Sequence, residues 1–270
     1  MMEWEPTPDE WRRKYTENGY LVVENVVDAE LVRCLQTALE RIEAAVAADA
    51  LPSRLRGLIS LERDRTRGLR GDAVETNTIS NIMELPLFDP IFRDLILCPR
   101  VLDLLEALFG STEFAFHNYK CICKMPGGQA HFQWHRDLPY LEHTTPNLIT
   151  CMLCMDAMTE ENGATVVCPG THRIPLEAVK SGDMDIPESE VPQARVTVAC
   201  PAGSAVLFHV NLIHGGPPNR SDAKRRNVIG IWSGPDTYPT NPNRYVYQSV
   251  MPRSTDPMRQ KQVRMTFGLE

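Results

Sequence analysis

From residue 113 onward the chain breaks into short β-type runs separated by turn signals, and this texture limits the fold more than any other feature. The runs cover 114–124, 131–137, 148–155, 165–168, 195–198, 205–210 and 228–232. Between them stand Pro126-Gly127-Gly128, Asn162-Gly163, Pro169-Gly170, Pro201-Ala202-Gly203 and Gly215-Gly216-Pro217-Pro218. A parallel sheet needs a long crossover, usually a helix, after each strand, and most of these intervals are too short to hold one. The pattern predicts an antiparallel sandwich or barrel.

The first 112 residues read differently. Thr7-Pro8-Asp9-Glu10 combines a capping box with proline at the first helical position, and Asn18-Gly19 closes that helix. An apolar run over 20–23 follows. Asp28 opens a second helix whose Leu31, Leu35, Leu39, Ile42 and Val46 form one stripe. A third begins at Asp89-Pro90 and reaches Phe109-Gly110, with Pro99 dividing it in two. Nothing linker-like separates the halves. The expectation is one domain over 1–270, mainly β, with a mainly helical support layer (1–112) packed on a barrel core (113–270).

Charge and cysteine usage narrow the partners. The formal charge of −7, from 28 basic and 35 acidic residues, argues against nucleic acid, which needs a basic surface. No run resembles a membrane span, and the start has neither the basic nor the apolar segment of a secretory signal. A cytoplasmic protein with a small-molecule substrate, no nucleic acid and no membrane contact is expected; the number of subunits is left open. Cys121-x-Cys123 and Cys151-x-x-Cys154 lie in β runs and lack the second Cys/His pair of a zinc site, so buried free thiols are expected. Arg54, Arg56, Arg63, Arg65, Arg67 and Arg70 lie between the second and third helices. A solvated loop is the plain reading; a lid that brings a cation to an anionic substrate is the sharper one.

The chemistry converges on three residues. His135-Arg136-Asp137 sits in the run 131–137, and on a strand residues two apart share a face, so imidazole and carboxylate could hold adjacent positions on one metal. Alone the pattern is weak, arising by chance in roughly one chain of three. His214 follows the run 205–210, and a barrel can bring that distant segment beside the first. Two histidines and one carboxylate on one face of an octahedron leave three positions open, the arrangement of oxygen-activating iron(II). A 2-oxo acid chelating that iron would need a fixed cation for its other carboxylate. Arg225 and Arg226 stand just beyond His214, and on a strand only one can face inward.

These stretches carry a resemblance. Trp134-His135-Arg136-Asp137, the segment Glu161-Asn162-Gly163 through Pro169-Gly170-Thr171-His172, Gly203 to His209, and His214-Gly215-Gly216 through Arg225-Arg226 resemble the phytanoyl-CoA dioxygenase family. So do Asn18 to Val23 and Leu108-Phe109-Gly110. The resemblance implies a double-stranded β-helix, a jelly-roll of the cupin kind, and a dioxygenase using Fe(II), 2-oxoglutarate and O2. It implies His135, Asp137 and His214 as the iron ligands and Arg225, eleven residues after the distal histidine, as the 2-oxoglutarate arginine. Lys120 and Asn81 fall where family members contact the co-substrate. Gly216 stands where a hydroxyl residue is common, and Met152 where an aromatic is. Halogenating relatives lack the carboxylate, so Asp137 favours hydroxylation of an aliphatic C–H, with succinate and CO2 released.

Other readings remain at this stage. His117, His131, His143 and His209, taken singly, read as satisfied polar residues, and His172 as a residue of the 169–171 turn. His131 and Gln133 alternate onto the face of His135, where either could line a pocket. Met152, Met155 and Met158 read as core filler. A cupin-type metal enzyme without a 2-oxo acid is the rival enzyme, though a buried Arg225 would then lack its anion. A non-catalytic binding or sensor protein on the same barrel is the other alternative.

Overall fold

The computed structural model describes residues 7–62, 78–175 and 185–269. Helix α1 (Pro8–Asn18) starts where the capping box sets it: Glu10 N donates to Thr7 Oγ1, and Thr7 N donates to Glu10 Oε2 at 2.9 Å. It ends at Gly19, whose φ of 80° is the left-handed closure that glycine takes without steric penalty. Strand β1 (Tyr20–Val23) follows, then α2 (Ala29–Ala47), with the Asp28 carboxylate accepting Leu31 N–H at its start. After the short α3 (Ser53–Arg56) come β2 (Ile59–Leu61) and β3 (Ile79–Met83). The divided third helix is α4 (Pro90–Asp94) and α5 (Pro99–Phe109), with Asp89 capping the first and Pro99 opening the second.

The β core holds β4 (Ala115–Lys124), β5 (Phe132–His135), β6 (Leu148–Cys154), β7 (Val166–Val167) and β8 (Val196–Thr197). It continues through β9 (Ala205–His209), β10 (His214–Gly216) and β11 (Arg225–Ser233), and α6 (Pro257–Phe267) follows. Two antiparallel sheets result, one in the order β1-β9-β6-β11-β4-β3-β2 and one in the order β5-β10-β7-β8. This is the expected double-stranded β-helix.

Alternation along β4 shows how the layers divide. Tyr119, Cys121 and Cys123 pack outward with Leu35 and Leu39 of α2, Leu104 and Leu105 of α5, and Trp232. Ile122 points inward, meeting Met152, Phe208 and Ile229 of its own sheet and Val167 of the other. The helical layer therefore covers one face of the large sheet, and the other face closes a chamber with the small sheet.

Several expectations need correction. The run 131–137 ends as a strand at His135, and Asp137 takes αR backbone (φ −77°, ψ −29°) at the start of a 3-10 turn. Strands β2, β3 and β10 and helix α6 were not read from the sequence; β3 includes Asn81. Gln133 is exposed, and His131 bonds the nearby Gln129 carbonyl. All eight thiols are free, six of them buried. Of the arginine-rich stretch, Arg56 pairs with Asp49 at 2.7 Å. Arg63, Arg65, Arg67 and Arg70, and with them the lid reading, lie outside the described residues.

Candidate active site

Strand pairing brings the two histidines together. β10 lies antiparallel to β5 with His214 directly opposite His135, and the ring centroids are 4.2 Å apart. Each ring is fixed by the carbonyl two residues before it: His135 Nδ1 lies 2.7 Å from Gln133 O, and His214 Nδ1 lies 3.0 Å from Leu212 O. A carbonyl oxygen only accepts, so both Nδ1 atoms carry the proton and both Nε2 lone pairs are available. Those Nε2 atoms stand 3.7 and 3.9 Å from Asp137 Oδ1. The second carboxylate oxygen, Oδ2, accepts a 2.7 Å hydrogen bond from Thr150 Oγ1 on β6, which turns Oδ1 toward the rings.

The electrostatics match that geometry. Burial, helped by His214, pulls His135 down to about 4, so its imidazole is neutral at pH 7. Burial alone would raise the Asp137 pKa, but His214, Lys120, His135 and the Thr150 hydroxyl outweigh it, and the carboxyl sits below its ordinary value. Two imidazole lone pairs and one carboxylate oxygen, all within 4.8 Å of one another, suit an intermediate divalent cation such as iron(II). Among the described residues, no other group of three His, Cys, Asp or Glu is placed to hold a metal.

A cavity runs from this triad between the sheets. Lys120, Ile122 and Lys124 line it from β4, and Arg225 and Ile229 from β11. Arg225 and Lys124 are cross-strand partners, so both point inward. Arg225 is 2% exposed; Nη2 donates to Gly163 O at 3.1 Å, and Nη1 donates to the Asn227 amide oxygen at 2.7 Å. Its Nε, also buried, has no partner in the protein. Burial draws its pKa down only to about 10, so it stays a cation. A buried guanidinium with an unused donor facing a cavity calls for an anion. Arg226 faces the other way, where two of its guanidinium nitrogens meet the Asp156 carboxylate at 2.9 and 3.0 Å and Glu43 of α2 lies at 3.3 Å.

Of the residues expected here, His135, Asp137, His214, Arg225 and Lys120 come together around the cavity. Asn81 stands one strand further out, paired with Ile122 on the same inward face, and its Oδ1 is buried without a partner. Met152 lines the wall. Phe132 does so as well, because the β5–β10 register shifts between His214 and Gly216 and carries Phe132 onto the face of His135. Lys124 and Thr150 were missed. Counting in twos from Lys120 would have placed Lys124 inside.

Gly216 owes its identity to Lys124. A Cβ there would lie 3.1 Å from Lys124 Nζ and 3.3 Å from Ala164 O, while Nζ is tied to Gly163 O at 2.8 Å and to Pro217 O. Gly216→Val should therefore destabilise the fold by about 1–3 kcal/mol through overpacking. The urea midpoint measures this, and an unchanged midpoint would show that Lys124 gives way freely.

A cluster of this composition in a jelly roll is the signature of iron(II)- and 2-oxoglutarate-dependent dioxygenases, and comparison with known proteins agrees. The model of the family described as phytanoyl-CoA dioxygenase (PhyH) matches residues 15–227, so the chain belongs to that family. A probable alpha-ketoglutarate-dependent hypophosphite dioxygenase of Stutzerimonas stutzeri is 26% identical over 243 residues, covering 85% of this chain and 80% of that protein. The peroxisomal phytanoyl-CoA dioxygenase of Homo sapiens is 29% identical, covering 85% of this chain and 69% of its own. The crystal structure of EctD from S. alaskensis with 2-oxoglutarate and 5-hydroxyectoine shares the fold, with a TM-score of 0.66, 22% identity, 86% of this chain and 79% of that one covered. The chain is a 2-oxoglutarate-dependent dioxygenase whose cofactor is iron and whose co-substrates are 2-oxoglutarate and O2.

Proposed function

We propose that this dioxygenase hydroxylates an aliphatic C–H of a small anionic molecule, with His135, Asp137 and His214 holding the iron. The observation that carries the reading is a single cavity with a metal-binding triad at one end and the buried, under-bonded Arg225 at the other. When bound, the iron and 2-oxoglutarate supply the oxidising power, releasing succinate and CO2.

The chain's own residues do the rest. Gln133 and Leu212 carbonyls fix the two imidazole tautomers, and Thr150 fixes the carboxylate, so the ligand atoms are set before metal arrives. Arg225 holds the distal carboxylate of 2-oxoglutarate. Lys120, on the wall between Arg225 and the triad, and Asn81 beside it face the co-substrate's other end. Ile122, Met152 and Ile229 keep that wall apolar and limit water around it. Asp137 takes the position that a halide would need, which supports hydroxylation. Eight thiols without a disulfide suit a reducing cytosol. Among the described residues no helix is long and apolar enough to cross a membrane.

Two readouts test the assignment. Adding 2-oxoglutarate to the anaerobic Fe(II) protein should produce a weak visible charge-transfer band, and admitting O2 should yield succinate. Absence of both would sink it.

A further inference from the structure

The ladder between β4 and β11 carries a fault close to the metal. Ile231 faces Asn118 but its neighbour Trp232 faces Phe116, so His117 is an extra residue in β4. The Phe116 ring packs against Tyr119 at 4.8 Å and Trp232 at 5.1 Å in the outer core. With 116 and 119 both outward, the two residues between them turn inward together, which is how a bulge re-aims side chains. Asn118 heads the row Asn118–Ile231–Thr150, and Thr150 is the residue that holds Asp137.

The protonation of His117 follows from its neighbours. Gln248 Oε1 accepts the backbone N–H groups of Arg244 and Tyr245 at 3.0 and 3.3 Å. Its amide nitrogen must then donate to His117 Nδ1, 3.2 Å away, which leaves the proton of a neutral ring on Nε2. Burial first, then the charges of His143, Arg244 and Lys120, draw this ring down to about 3, so it stays a neutral donor. His117 Nε2 and Asn118 Oδ1 are both buried and both without a partner. An orphaned buried polar group is costly, and an unpaired donor and an unpaired acceptor on consecutive residues of a bulge mark a place built for a ligand.

The surrounding charge sets the ligand's sign. Lys120 and Arg244 act on His117, and Arg244 is itself paired with Glu142 at 3.2 Å. Glu84 is occupied by the Val246 N–H at 2.9 Å. The His143 and Tyr245 rings, carried on connecting loops, cover His117 with centroids at 4.7 and 4.9 Å.

We propose that His117 Nε2–H, at the bulge it shares with Asn118, forms a subsite for an anionic oxygen group of the substrate, a carboxylate or phosphonate. This deepens the function proposed above and rests on it. Asn118 Oδ1, an acceptor, is left for an N–H or O–H of the same molecule. Lys120, one inward position along β4 from Asn118, lends its charge to both the subsite and the triad. The anionic head is thereby anchored at the bulge, and the carbon to be oxidised is presented toward the metal.

The test uses the anaerobic Fe(II)–2-oxoglutarate protein, titrated with butyrate, methylphosphonate and the neutral butyramide while the charge-transfer band is followed. Both anions should bind at least tenfold more tightly than butyramide. His117→Ala should lose at least tenfold for the anions, while 2-oxoglutarate affinity stays within twofold. His117→Gln, which keeps a donor, should recover part of the loss where a merely structural role would not. Equal binding of butyramide, binding of none of the three, or anion binding indifferent to His117→Ala would each overturn the subsite while leaving the dioxygenase reading intact. If 2-oxoglutarate gives no band at all, both readings fall.

Discussion

Arg225→Met is expected to raise the Kd for 2-oxoglutarate by about 30-fold to several thousand-fold. Truncating one partner of a buried, hydrogen-bonded charge pair costs about 2–5 kcal/mol, and every 1.4 kcal/mol is tenfold. Arg225→Lys should fall between, since lysine keeps the charge but loses the planar fork. The measurement is anaerobic titration of the charge-transfer band. Its control is the adjacent residue: Arg226→Met should leave 2-oxoglutarate binding nearly unchanged and lower stability, because Arg226 spends its donors on Asp156 and Glu43. Equal losses in the two variants would show that Arg225 acts by holding the strand and not the co-substrate.

His214→Ala should remove iron altogether. Mutations that merely disturb the partners of a metal ligand already cost about 10- to 100-fold in affinity, and losing one of three protein ligands should exceed the upper figure. Metal analysis after anaerobic loading reads it directly, and Thr150→Val, which frees Asp137 Oδ2, should show the smaller loss. An iron-to-protein ratio at the unmutated level in His214→Ala would refute the triad.

The fold was legible where local signals are strong. Thr7, Asp28 and Asp89 begin helices because each offers an oxygen to unpaired N–H groups, and that preference operates without tertiary context. Strands were legible where apolar runs are long, as in β4, β6 and β11. The three-residue β2 and β10 were not; β10 is His-Gly-Gly, with no apolar residue to mark it, and is formed by its neighbours on either side.

At the site, the three residues expected as ligands do come together, though the reason given for it was partly wrong. Alternation was to put Asp137 on the face of His135, but the strand stops at His135 and the carboxylate is delivered by a turn. The same rule misled for Gln133 and concealed Phe132 and His117. Each lies at or beside a register shift, where counting in twos fails and sequence gives no warning. Taken singly, His117 reads as a satisfied polar residue, yet its Nε2 has no partner. For the arginine pair, alternation held. It stated that only one could face inward; which one was implied by the family resemblance.

That adjacency has a consequence for anyone who recombines members of this family. Arg225 and Arg226 are consecutive, so the strand that presents one to the cavity is gripped through the other by Asp156 and by Glu43 of α2. Lys224 joins the same grip, 2.5 Å from Glu43. A chimera that exchanges α2 for a relative's helix without carrying over the acid at position 43 leaves Lys224 without its partner and Arg226 held by Asp156 alone, one residue from the cavity wall. The helical layer is the far end of a lever whose short arm is Arg225.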